Sequence, residues 1–144
     1  MAGNDALADE KLIQDKIAAY RSLEERINAL VGQQATFASK AAEIQSTLAA
    51  IDELSEGSGD ALFPLGTAVY AKGKFDASAK LLVEVGAGVA VERTAAEAKL
   101  ILEARNKDIE QAIEVLQKDV RTVAGMLQRI EAEAQEMLRA RGRK

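Results

Sequence analysis

Val83-Glu84-Val85-Gly86-Ala87-Gly88-Val89-Ala90-Val91-Glu92 alternates valine with Glu or Ala on either side of a Gly-Ala-Gly step. That is the pattern of two short strands joined where the backbone can bend. Leu81 and Val83 extend the alternation upstream, with Leu82 as its exception. An approximate copy lies twenty residues earlier, Leu65-Gly66-Thr67-Ala68-Val69-Tyr70-Ala71-Lys72. Each copy has an apolar residue, a glycine and then an alternating strand, so two copies predict two hairpins. Leu65, Val69, Ala71, Leu81, Val83, Val85, Val89 and Val91 are the apolar strand positions. A turn over Lys74-Phe75-Asp76-Ala77-Ser78 is expected between the second and third strands. An isolated hairpin is marginal in water, and its open edges invite pairing, so the strands are expected to assemble with other chains.

The flanks have a different period. Ile13, Tyr20, Ile27, Gln34, Ala41 and Leu48 lie seven apart, and three residues after each come Lys16, Leu23, Leu30, Phe37, Ile44 and Ile51. Only Lys16 and Gln34 interrupt this apolar seam, which argues for a coiled coil. The breaker cluster Ser55-Glu56-Gly57-Ser58-Gly59-Asp60 ends it. A second helix opens at Thr94-Ala95-Ala96-Glu97, which fits a capping box. Its seam runs through Leu102, Ile109, Leu116, Val123, Ile130 and Met137, with Asn106, Ile113, Val120, Leu127, Ala134 and Arg141 between them. Asn106 and Arg141 are the breaks, and such residues set register or leave the seam looser. Two helices of about 45 residues each, or about 65–70 Å, on either side of a small insert suggest an antiparallel pair. Asp5, Asp9 and Glu10 open the first, while Arg139, Arg141, Arg143 and Lys144 close the second. Each set complements its own helix dipole, and an antiparallel pair brings the two sets close. The fold class is therefore α+β: a long antiparallel two-helix coiled coil over 1–54 and 94–144, joined through two small β-hairpins within 61–93.

Composition narrows function. Aromatics make up only 3% of the 144 residues and Trp is absent, so a single bulky core is not expected. The net charge of −4 opposes general nucleic-acid binding, so no nucleic-acid partner is expected. With no Cys and no His, the chain lacks a thiol, the commonest general base and the commonest nitrogen ligand for metals. No enzymatic activity, cofactor or metal is expected. The segment Met1–Lys11 is acidic and lacks an apolar h-region, and no run approaches a membrane span, so the expected location is cytoplasmic with no membrane partner. Gly86-Ala87-Gly88 is not a dinucleotide fingerprint, because Val91 stands where a third Gly is needed and a strand follows it.

The order long helix, four short strands, long helix is similar to the prefoldin family. Leu62-Phe63-Pro64-Leu65-Gly66 resembles the first strand of its alpha-type subunit, and Val83–Glu92 resembles that subunit's strand-turn signature. Two hairpins mark the alpha type, since the beta type carries one, and the organisation looks archaeal. The resemblance implies a hexamer of two alpha-type and four beta-type subunits whose hairpins form a β-barrel body. It also implies an ATP-independent holdase chaperone that captures unfolded client proteins at coiled-coil tips and passes them to a group II chaperonin. The tips correspond to residues of about 1–17 and 127–144.

Within those tips Leu7, Leu12, Ile13, Ile130, Met137 and Leu138 are the candidate client-binding residues. Ile13, Ile130 and Met137 are explained first by the seam. Leu7, Leu12 and Leu138 lie off it or at fraying ends, where exposure is expected. A filament-forming coiled-coil building block is the alternative. The basic C-terminus is read first as a dipole complement, and second as a contact with an acidic surface.

Overall fold

A computed structural model describes residues 2–57 and 59–143. In chain order its elements are α1 (Ala2–Glu56), β1 (Asp60–Gly66), β2 (Val69–Lys74), β3 (Leu81–Gly86), β4 (Val89–Arg93) and α2 (Ala95–Gly142). The chain forms two compact units, Met1–Phe37 with Ala112–Lys144, and Ala38–Gln111, and both helices contribute to each.

The heptad residues of α1 are its shielded residues. All twelve from Ile13 to Ile51 are half-buried or buried, and Leu54 is the one addition among the described residues of α1. In α2, Asn106, Leu116 and Val123 are buried at seam positions, and Val123 is only 2% exposed. Arg141 is the other seam break of α2. It is exposed rather than inserted in the seam, because its guanidinium gains more from water than from an apolar contact. In the first unit the antiparallel register is fixed by contacts between Lys16 and Glu133 and between Tyr20 and Glu131. In the second, the Lys99 ammonium meets the Asp52 carboxylate at 2.6 Å.

Helix ends follow local chemistry. Thr94 and Glu97 form the expected capping box: the Glu97 N–H donates to Thr94 Oγ1 and the Thr94 N–H to Glu97 Oε2, both at 3.2 Å. The end of α1 corrects the breaker reading. Ser55 and Glu56 remain helical, with the Ser55 hydroxyl donating to the Ile51 carbonyl, and Asp60 already belongs to β1. Among the described residues the break therefore narrows to Gly57 and Gly59. Met1, Ser58 and Lys144 lie outside the described residues.

The hairpins are separate two-stranded antiparallel sheets, β1–β2 and β3–β4. Thr67-Ala68 and Ala87-Gly88 make their turns. Positive φ at Ala87 (50°) and Gly88 (74°) suits the right-handed twist of the flanking strands, and Ala68 takes φ 59° at the matching place in the first hairpin. The repeated Leu65-Gly66 and Val85-Gly86 steps coincide with register shifts between Pro64 and Gly66 and between Glu84 and Gly86. These bulges correct the expectation of one continuously buried strand face. Val83 is buried and Leu81, Ala71 and Val91 are half-buried, whereas Leu65 and Val85, the unpaired residues of the bulges, and Val69 and Val89, the first strand residues after the turns, stay exposed.

Hairpin β3–β4 anchors the second unit's core, a cluster of Ile51, Val83 and Ala98 with Leu81, Ala95, Ile101 and Leu102 packed against it. Ala98 is the most buried of these at 1%. Arg105 donates to the Glu84 carbonyl, tying α2 to β3. In the first hairpin the Phe63 ring lies over Gly73, where an added Cβ would meet Cε2 at 2.7 Å. The connection beyond β2 is closed by the Phe75 N–H on the Gly59 carbonyl and by the Asp76 carboxylate, which accepts from the Ser78 N–H and hydroxyl.

Candidate functional site

An apolar groove of about 460 Å³ runs between the two helices of the first unit. It arises from the heptad geometry. Ile13, Ile130, Ala134 and Met137 are seam residues that are only half-buried there, and Ile17 and Leu138 stand immediately beside the seam with their side chains exposed. Six apolar side chains from two helices thus line one depression, with Lys16, Tyr20, Arg21, Glu24 and Glu131 at its polar margin.

Two cross-helix contacts hold this margin. Lys16 occupies a seam position but turns its ammonium onto the Glu133 carboxylate. The Tyr20 hydroxyl donates to Glu131 Oε1 at 2.8 Å. The hydrogen bond and charge of Lys16 hold the Glu133 carboxyl below its ordinary pKa, and the bond to Glu131 raises that of the Tyr20 phenol. A smaller recess nearby is lined by Asp9, Ile13, Met137, Ala140 and Arg141. The acidic start of α1 and the basic end of α2 are therefore neighbours, although no ion pair joins Asp9 to Arg141 among the described residues.

Of the six candidate tip residues, Ile13, Ile130, Met137 and Leu138 come together in the groove. Leu7 and Leu12 are exposed but do not line it. Ile17 was absent from the sequence-based set. Its signal was legible, since it is an apolar residue four positions after Ile13 and so on nearly the same helix face. The groove's interior is aliphatic, and its charged groups sit at the rim. Such a surface can shield apolar side chains from water without selecting a particular sequence.

Among the strand candidates, Leu65, Val69, Val85 and Val89 are exposed, while Ala71, Leu81, Val83 and Val91 face inward. Leu62, Tyr70 and Leu82 are also exposed large side chains on the hairpins. No described helix is long and apolar enough to cross a membrane.

The family model described as "Prefoldin subunit" matches residues 11–140. The chain is 34% identical over 129 residues to prefoldin subunit alpha of Archaeoglobus fulgidus, covering 88% of this chain and 94% of that protein. It is 31% identical over 122 residues to prefoldin subunit alpha of Nitrosopumilus maritimus, covering 84% and 79%. A solved structure of similar fold is the cryo-EM structure of filamentous PFD from Methanocaldococcus jannaschii, with a TM-score of 0.69 and 20% identity over 83% of this chain and 98% of that one.

Proposed function

The chain belongs to the prefoldin family, with the two-hairpin organisation of its alpha type, and on that premise we propose that it is one subunit of an ATP-independent holdase. The observation that carries this reading is the aliphatic groove between the terminal ends of the helices, flanked by exposed Ile17 and Leu138. A non-native protein exposes apolar side chains, and burying them gains about 25 cal/mol per Å² of area removed from water. One groove of this size takes only a few side chains, so capture depends on several subunits acting together. Leu7 and Leu12 would extend the contact beyond the groove. The partners in this proposal are beta-type prefoldin subunits (two alpha-type with four beta-type), unfolded client proteins, and a group II chaperonin that receives the client. The setting is the cytoplasm. The exposed strand residues would become the wall of a shared β-barrel body.

The test dilutes a chemically denatured protein into this chain assembled with a beta-type subunit, without ATP, and follows light scattering. Suppression is expected, and it should weaken when Leu7, Leu12, Ile17 and Leu138 are replaced together by Ser. Full suppression by that variant would refute the groove as the client site. A filament-forming building block is the second reading, favoured by the exposed apolar hairpin faces. It requires the purified chain alone to form long assemblies.

A further inference from the structure

Two shortfalls coincide in the seam of the first unit. On α1, Lys16 and Tyr20 are consecutive seam residues, and both send their polar tips across to α2, Lys16 to the Glu133 carboxylate and Tyr20 to Glu131 Oε1 at 2.8 Å. Both side chains are half-buried, with their apolar stems along the seam and their tips drawn out to the rim. An exposed ion pair adds little stability, so the Lys16–Glu133 contact acts chiefly by giving the lysine its direction. On α2, the seam residue that shares this depression is Ala134, which ends at Cβ, whereas its seam neighbours Ile130 and Met137 are large. A coiled coil fills each hole of one helix with a side chain of the other. Here the side chains are drawn outward on one helix and cut short on the other. Where α2 brings Leu116 and Val123 to the seam of the same unit, they are only 8% and 2% exposed. Fraying does not account for the opening, because both helices run on past it, to Ala2 and Gly142.

We propose that Lys16, Tyr20 and Ala134 leave one seam layer unfilled, and that an aliphatic side chain of the captured protein completes it. Lys16 and Ala134 are then positioning residues, which keep room for the contact that Ile13, Ile17, Ile130 and Leu138 make. The close packing that the helix pair forgoes is completed by the client. This inference rests on the reading of the groove as the client site, and it adds which residues hold that groove open. It also separates two ways of binding. A plain apolar surface would hold clients equally well or better with a leucine added to it. An unfilled layer loses affinity when the chain fills it with its own side chain, and the helix pair tightens.

The experiment places Ala134→Leu and, separately, Lys16→Leu in the full chain assembled with a beta-type subunit, without ATP. Affinity for a fluorescently labelled, chemically denatured protein is read by anisotropy, and the thermal midpoint by circular dichroism. Each variant should raise the dissociation constant about threefold or more, while the midpoint stays level or rises. Ala134→Ser and Lys16→Arg, which bring back the short side chain and the outward cation, should recover most of the lost affinity. If a leucine variant fails to assemble, Ala134→Val fills the layer more mildly and is read in the same way. Unchanged or tighter binding by an assembled, helical filling variant overturns the proposal. The Ser replacement of Leu7, Leu12, Ile17 and Leu138 then separates the two readings. Capture lost there but kept by the filling variants retains the groove as the client site and removes only the unfilled layer, whereas capture kept by all of them removes both.

Discussion

Ala68 holds the left-handed backbone (φ 59°) that the first hairpin's turn demands, while the second hairpin places Gly88 (φ 74°) at the equivalent position. A Cβ in that region crowds the following carbonyl, and glycine does not. Ala68→Gly is therefore expected to stabilise the chain by about 0.5–1 kcal/mol, and Gly88→Ala to destabilise it by a similar amount. Chemical denaturation of both variants checks the pair, and equal midpoints would contradict the account. The need for a turn was legible in the repeated Gly66 and Gly86. The bulges at Leu65 and Val85 were not, since an inserted residue leaves the apolar-polar string unchanged and alters only which face each residue takes. Ala98 was equally silent. It is shielded by Val83 and Ile51, a contact that no periodicity within α2 encodes. Asn106 was visible as a seam break, but its surroundings were not: its amide donates to Glu110 at 3.1 Å while its Oδ1 is buried without a partner among the described residues.

At the scale of elements, the helices were the legible part. A heptad repeat specifies a face directly, and the shielded side of α1 coincides with the residues that the repeat selects. The start of α2 was legible for a different reason, since a capping box is a local motif whose donors and acceptors lie within one turn. Thr94→Ala leaves the Glu97 N–H without its side-chain acceptor and should cost about 1 kcal/mol, read as a lower denaturation midpoint. Thr94→Ser keeps the hydroxyl and should recover most of the loss. The groove was only half legible. The repeat placed Ile13, Ile130 and Met137 in the seam, and what the sequence could not show is that the seam stays open enough beside Ile17 and Leu138 to leave a depression.

For the whole molecule, the cited ionisations predict a stability plateau with two limbs. Glu133, held down by Lys16, and Asp76, held down by the Ser78 N–H and hydroxyl, bind protons less readily folded than unfolded. Their contribution is full above the ordinary carboxylate pKa and is lost as pH falls through the lowered folded values. Lys99, raised by Asp52, and Tyr20, raised by Glu131, contribute below their ordinary pKa values and lose that contribution as pH rises through the raised ones. With no histidine, no side chain is at its ordinary titration point between about pH 5 and 8. The thermal midpoint should be flat across that interval and fall on both sides. A Glu133→Gln variant should lie below wild type at neutral pH and converge with it in acid; a constant gap would contradict the assignment.

No large side chain in the described chain is fully enclosed, and the hairpins display Leu62, Tyr70 and Leu82 to solvent. Before it assembles, the subunit therefore has the outward character of a protein that has not finished folding. Where the proposed assembly holds, synthesis of the partner chains has to keep pace, because an unmatched copy is left with bare aliphatic faces.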